Sequence, residues 1–129
     1  SSILHLHGEL FKSRSTKNPK LVYDIKGWEL NLGDTCEEGS QLRPHIVWFG
    51  EDVPLIYNAF QIAQSAEIFV VIGTSLSVYP AASILNYVPS AVPKYIIDPE
   101  IPPVYGVQNL TKIQDGAEEG TKRLMQLLV

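Results

Sequence analysis

Glu67-Ile68-Phe69-Val70-Val71-Ile72-Gly73-Thr74-Ser75 is the stretch whose reading decides the fold. Its apolar run is continuous rather than alternating, is rich in β-branched residues, and ends at a glycine. Such a run reads as a strand buried on both faces, the kind found in parallel sheets. Working outward, Leu55, Ile56, Ala59, Phe60 and Ala63 recur at helical spacing before it, with Asp52 as the expected cap and Pro54 in the first turn. After it, Ala81, Ile84, Leu85 and Val88 share one face of a helix expected from about Tyr79 to Val88. Lys94–Ile97 reads as the next strand, ended by Asp98-Pro99, and Thr111–Ile113 as a short further one. A helix is expected from about Ala117 to Leu128. Upstream, His45–Phe49 reads as a strand closed by Gly50, and Ile3–Leu6 as a buried strand that stops at Gly8. Strands alternating with helices give an α/β fold, a parallel sheet flanked by helices.

Residues 12–44 break this pattern. They are polar, contain Pro19, Gly27, Gly33, Gly39 and Pro44, and offer only short strand-like pieces at Lys20–Ile25 and Trp28–Leu30. The expected organisation is therefore a main domain from residues 1–11 and 45–129, with a small excursion at 12–44.

Composition narrows the function. The 129 residues are 45% hydrophobic and 19% charged, as in a folded globular domain. A formal net charge of -4 argues against nucleic acid as a partner. No apolar run is long enough to cross a bilayer, so no membrane association is expected. Cys36 is the single cysteine, which excludes an internal disulfide and points to a cytoplasmic setting. The chain opens Ser1-Ser2-Ile3 and its one methionine is Met125, which reads as a piece of a longer protein.

Open parallel sheets bind ligands beyond the carboxyl ends of their strands. Candidate residues are therefore His7, Phe49–Glu51, Gly73–Ser75 and Asp98. Gly73-Thr74-Ser75 admits two readings: a turn whose serine caps the next helix, or a phosphate loop supplied with hydroxyls and a helix N-terminus. Asp98 could accept hydrogen bonds from ribose hydroxyls, or could simply start an Asp-Pro turn. His7 could be a general base near neutral pH, whereas His5 and His45 fall in apolar runs and read as structural.

Three motifs in this order are informative together: Leu6-His7-Gly8-Glu9-Leu10, Leu42-Arg43-Pro44-His45-Ile46-Val47-Trp48-Phe49-Gly50-Glu51, and Ile72-Gly73-Thr74-Ser75-Leu76-Ser77-Val78-Tyr79-Pro80-Ala81-Ala82. The chain resembles the C-terminal part of the catalytic core of the sirtuins, NAD-dependent protein deacylases, of the bacterial type. The resemblance implies a Rossmann-like sheet lacking its N-terminal part, NAD as co-substrate, and acyl-lysine proteins or peptides as substrates. It implies release of nicotinamide and O-acyl-ADP-ribose. His7 matches the catalytic histidine, a general base on a ribose hydroxyl. Gly73, Thr74 and Ser75 match the cofactor loop. Asp98, Pro99 and Glu100 fall where relatives have Asn-Leu-Glu on the adenosine ribose, and Ala117 where a small residue meets the adenine. Phe49, Gly50, Glu51 and Val78 match the two edges between which the acyl-lysine peptide lies as an added strand.

Two departures accompany the resemblance. Relatives hold zinc with two Cys-x-x-Cys pairs, but Arg14-Ser15-Thr16-Lys17-Asn18 stands at the first and only Cys36 remains of the second. No zinc is therefore expected, and the small segment is expected to be a hairpin around Lys26-Gly27 anchored by Trp28. The Gly-rich first turn of the Rossmann fold is also absent, which leaves half a cofactor site. An isolated 129-residue chain is accordingly expected to be inactive. The alternative is a module that binds NAD or ADP-ribose without catalysis.

Overall fold

The computed structural model describes residues 2–129. The chain divides into two compact units, Ser1–Leu55 and Ile56–Val129.

The first unit is built on β1 (Gly8–Ser15), β2 (Val22–Asp24) and β3 (Leu42–Ile46). They form an antiparallel sheet in the order β2-β1-β3. Two expectations change here. Ile3–Leu6 is not a strand: Ile3 is 78% exposed, and pairing begins only at Gly8. The strand expected at His45–Phe49 ends at Ile46 and pairs with β1, not with a parallel neighbour. The unit boundary also differs from the division read in the sequence. β1 runs past residue 11 and β3 past residue 45 without interruption, so one sheet joins residues on both sides of those limits.

The segment after β1 is not anchored by Trp28, whose side chain is 94% exposed, and no strand pairing crosses Lys26-Gly27. β2 pairs instead with β1, with Ser13 opposite Tyr23. Buried Ser13, Ser15, Cys36 and Ser40 occupy the interior. The Ser15 hydroxyl oxygen accepts from the backbone N–H of Lys17 and Asn18 at 3.2 and 3.1 Å. The same hydroxyl is the main cause that holds the Cys36 thiol below its ordinary pKa. Gln41 ties the other end. Its carboxamide donates to the carbonyls of Asn31 and Leu42, each at 3.0 Å, and accepts from Gly33 N–H at 2.8 Å. Asp34, Asn18 and Glu38 add further polar links. Hydrogen bonds do here what the sequence reading assigned to an aromatic anchor.

The second unit carries α1 (Ile56–Gln64), β4 (Phe69–Ile72), a seven-residue 3-10 helix at Ala81–Tyr87, β5 (Lys94–Ile97), β6 (Leu110–Ile113) and α2 (Ala117–Leu128). The strands form a parallel sheet in the order β4-β5-β6, so the α/β reading with helices against a parallel sheet holds. α1 starts at Ile56, after both Asp52 and Pro54. It buries Ile56 and Ala63, and the Phe60 ring stacks on Tyr87 at 3.8 Å between centroids. The helix expected at Tyr79–Val88 is shorter and more tightly wound, though Leu85 and Val88 are buried as its spacing implied. Ile97, Ile113 and Leu124 form the core beneath α2. Gly120 makes that approach possible, because a β-carbon there would collide with the Ile97 side chain. Among the described residues no helix is long and apolar enough to cross a membrane.

Lys94 opens β5 with its side chain inside the protein, only 2% exposed. Its ammonium donates to the carbonyls of Pro89 and Val92 at 2.8 Å, Gln108 at 3.2 Å and Ser90 at 3.3 Å. A buried cation is tolerable only with such a set of acceptors. Lys94→Met keeps the chain length but leaves these carbonyls without their donor. We expect a loss of about 2–4 kcal/mol of stability, read as a lowered denaturant midpoint. An unchanged midpoint would show that the cage is not a structural element.

Candidate functional site

The registers of the parallel sheet fix where the loops at its carboxyl edge begin. Ile72 lies opposite Ile97, and Ile97 opposite Ile113. The next residues, Gly73, Asp98 and Gln114, therefore leave the sheet side by side at its carboxyl edge. Backbone bonds continue the ladder one step further: Gly73 N–H donates to Ile97 O at 3.0 Å, and Asp98 N–H to Ile113 O at 3.3 Å.

Gly73 has φ +63, and no atom lies near the space its side chain would occupy. The loop backbone is thus open to close approach. The Thr74 hydroxyl accepts from Leu76 N–H at 3.2 Å, and the hydroxyls of Ser75 and Ser77 are 2.6 Å apart. Leu76 adopts φ 50, rare for a branched side chain. The helix-terminus contribution expected at this loop is not there. The next element starts only at Ala81, is a 3-10 helix, and has no side-chain cap. What remains is a glycine, hydroxyls and backbone N–H groups, a donor set that fits an anionic group.

Asp98, Pro99 and Glu100 form the neighbouring loop. One Asp98 carboxylate oxygen accepts from Glu100 N–H at 2.8 Å, which closes a tight turn. The other oxygen is the one available to a donor on a ligand. Ala117 starts α2, and Gly116 N–H is held by the Asp115 carboxylate at 3.1 Å. Arg123, two turns on, pairs with the same carboxylate at 3.1 Å. Gly73–Ser75, Val78, Asp98–Glu100 and Ala117 all belong to the second unit.

His7, Phe49, Gly50 and Glu51 belong to the first. His7 is exposed, in a turn in which Gly8 N–H donates to His5 O at 3.1 Å. Val47 N–H in turn donates to His7 O at 2.9 Å. Gly8 has φ +91 and sits against the His45 carbonyl, where any β-carbon would overlap that oxygen. His7 is thus placed by its backbone and by a neighbour that can only be glycine, while its imidazole stays at the surface. His45 is different: part-buried, with a buried, unpartnered Nδ1 and a pKa pushed down by burial and then by Arg14.

Trp48–Glu51 is a β-turn, with Glu51 N–H donating to Trp48 O at 3.1 Å and Gly50 at φ +88. Phe49 projects from its tip, 93% exposed. The Glu51 side chain folds back rather than outward. Arg43 grips it with two donors, at 2.6 and 3.1 Å, Trp48 N–H donates at 3.0 Å, and Arg14 lies 3.6 Å away. Glu51 therefore supports the turn that presents Phe49. Its partners, Arg43 and Arg14, were not singled out from the sequence. The available signal was a pair of arginines, one in each of two strands that the register sets opposite one another.

The Arg43 bond, followed by the Trp48 amide, holds the Glu51 carboxyl below the usual carboxylate range. The sign follows directly. A depressed pKa stabilises the turn above the unfolded value, about 4.3, and this contribution is lost as pH falls through the lower folded value. Glu51→Gln should remove that acid sensitivity and speed hydrogen exchange at Trp48 N–H near neutral pH. Equal exchange in both proteins would mean that Glu51 does not hold the turn.

Comparison with known proteins places these features in context. The sequence model of the Sir2 family matches residues 1–80. An NAD-dependent protein deacylase of Bacteroides thetaiotaomicron is 46% identical over 134 residues, covering 100% of this chain and 57% of the relative. A solved mutant Sir2 homologue in complex with ADP-ribose superposes with a TM-score of 0.79 at 27% identity, over 99% of this chain and 54% of that one. Sir2Tm bound to a propionylated peptide gives 0.73 at 28% identity, over 95% and 54%. The chain spans just over half the length of the first curated relatives it matches.

Proposed function

Because the chain belongs to the Sir2 family, we propose that it is the C-terminal part of the catalytic core of an NAD-dependent protein deacylase. The observation that carries this reading is the carboxyl edge of the parallel sheet. Gly73, Asp98 and Gln114 emerge there in register, with an open glycine loop beside a carboxylate turn. An anion on the loop and a ribose on the carboxylate are the two halves of a nucleotide. The NAD-dependent relative and the ADP-ribose complex support the same ligand class.

In this reading Gly73, Thr74 and Ser75 face the phosphates, Asp98, Pro99 and Glu100 the adenosine ribose, and Ala117 the adenine. NAD, when bound, would supply an anomeric carbon whose bond to the cationic nicotinamide ring breaks with release of neutral nicotinamide, and that carbon would take up the acyl oxygen. His7 takes a proton from a ribose hydroxyl, which frees that oxygen to accept the acyl group. Its exposed imidazole on a fixed backbone suits that task. Phe49, Gly50, Glu51 and Val78 are the residues this reading assigns to the acyl-lysine peptide, taken up as an added strand. The propionylated peptide on a structural relative supports this substrate class. The small segment needs no zinc in this reading, since Ser15 stands where a ligand would be and its hydroxyl closes a turn on Lys17 and Asn18 instead. Cytoplasmic location is part of the same reading and rests on the lone thiol.

His7→Ala in the full-length protein should lower NAD-dependent deacylation by about 10²–10⁴-fold and leave thermal unfolding unchanged. Deacylation at the parent rate would remove His7 from the mechanism. NAD binding by an unsubstituted protein that deacylates nothing would favour the nucleotide-binding module instead.

We infer further that the 129 residues alone do not turn over, since their relatives use nearly twice this length. Calorimetry on the isolated chain should detect no tight NAD binding, and micromolar binding would overturn this.

A further inference from the structure

The turn at Asp98–Glu100 has an unusual mechanical problem. Asp98 N–H still belongs to the sheet ladder, bonded to Ile113 O at 3.3 Å. Beyond it the ladder stops. Pro99 has no N–H, so its carbonyl is the only main-chain group by which this residue can be held. Glu100 N–H is already committed to the Asp98 carboxylate. The turn therefore holds itself together but is tied to the rest of the described residues, past Asp98, by one hydrogen bond. Gln114 makes it: its carboxamide Nε2 donates to Pro99 O at 3.1 Å.

Gln114 is well placed to do so because it follows Ile113, the residue directly opposite Ile97. It leaves the sheet one strand over from Asp98. Its own backbone is clamped on the far side, where Asp115 N–H bonds Ile113 O at 3.0 Å and the Asp115 carboxylate holds Gly116 N–H and Arg123. The carboxamide thus bridges a firmly held loop to a loosely held one.

We propose that Gln114 is a positioning residue for nucleotide binding: it fixes the Asp98–Glu100 turn so that the uncommitted Asp98 oxygen faces the ribose. The inference rests on the reading of Asp98 given above. Gln114 itself touches no ligand. It works through Pro99, so its removal should weaken NAD binding without slowing the chemistry at His7.

The test uses the full-length protein and Gln114→Met, which keeps length and neutrality but loses the donor. Two readouts are taken. Hydrogen exchange at Glu100 N–H should quicken about threefold to tenfold, the range expected for loss of one modest hydrogen bond, while exchange at Gly73 N–H stays the same. KM for NAD should rise by a similar factor with kcat unchanged. Gln114→His, which can restore a donor, should recover part of both effects. Unchanged exchange at Glu100 would overturn the bridge. Faster exchange with an unchanged KM would overturn its link to NAD. A fall in kcat with constant KM would also overturn it, since positioning of the ribose turn predicts the reverse split. If the unsubstituted protein neither binds NAD nor deacylates, the underlying reading of Asp98 fails, and the inference falls with it. An active parent with an indifferent variant sinks this inference alone.

Discussion

The burial of β5 on both faces is the constraint from which the second unit follows. Ile96 and Ile97 are fully buried, and even Lys94 turns inward. Such a strand needs a neighbour on each edge and cover above and below. β4 and β6 supply the edges, and α2 supplies cover through Ile97, Ile113 and Leu124. Burial also fixes register, because slipping a neighbour by one residue would turn its apolar set away from the core. With register fixed, the three strands end level. The candidate ligand edge is thus a by-product of packing two isoleucines, and Gly120 is what lets α2 sit low enough to seal them.

The first unit is stabilised differently. Its interior at Ser13, Ser15, Cys36 and Ser40 is small and polar, and apolar burial there can contribute little. Cohesion comes from many modest hydrogen bonds, each contributing on the order of 1 kcal/mol. Several converge on two side chains, the Ser15 hydroxyl and the Gln41 carboxamide. The Ser15 hydroxyl closes the turn that follows β1, whereas Gln41 reaches back to Asn31 and Gly33 and so closes a longer loop. At the sheet's other end the Arg43–Glu51 pair does the same for the turn carrying Phe49.

What could be read in the sequence divides along the same line. Lys94–Ile97, Phe69–Ile72 and the helix at Ala117–Leu128 were legible because burial imposes a pattern on residue type. The face of Leu85 and Val88 was legible for the same reason, while the tighter 3-10 winding was not, since both helix types can bury that spacing. Ile3–Leu6 misled because an apolar run states that burial is wanted, not that a strand provides it. Trp28 misled in the same way: a large side chain in a small segment reads as an anchor, yet the segment is organised by serines, Gln41 and Cys36, which have no periodicity. The candidate site was legible where the topology dictates it, at Gly73 and Asp98. Glu51 was flagged, but its inward grip by Arg43 was not, because an ion pair across eight residues depends on a turn geometry the sequence does not print. Gln114 left no signal at all. A glutamine after a strand is unremarkable until Pro99 is seen to need a donor.

The charge pattern at the sheet edge adds an orientation to the proposed nucleotide. Asp98 and Glu100 bring two carboxylates to one turn, and the Asp98 oxygen left free by Glu100 N–H can only accept. A phosphate placed there would meet like charge, whereas a ribose hydroxyl donates. The loop at Gly73–Ser75 has the opposite character: no carboxylate, a backbone open to approach, and hydroxyls that can turn as donors. In the proposed reading, adjacent loops of contrasting electrostatics would orient the nucleotide in one direction, its ribose toward Asp98 and its phosphates toward Gly73. An ionised aspartate has no donor to offer a phosphate oxygen, so a contact there rewards only a hydroxyl.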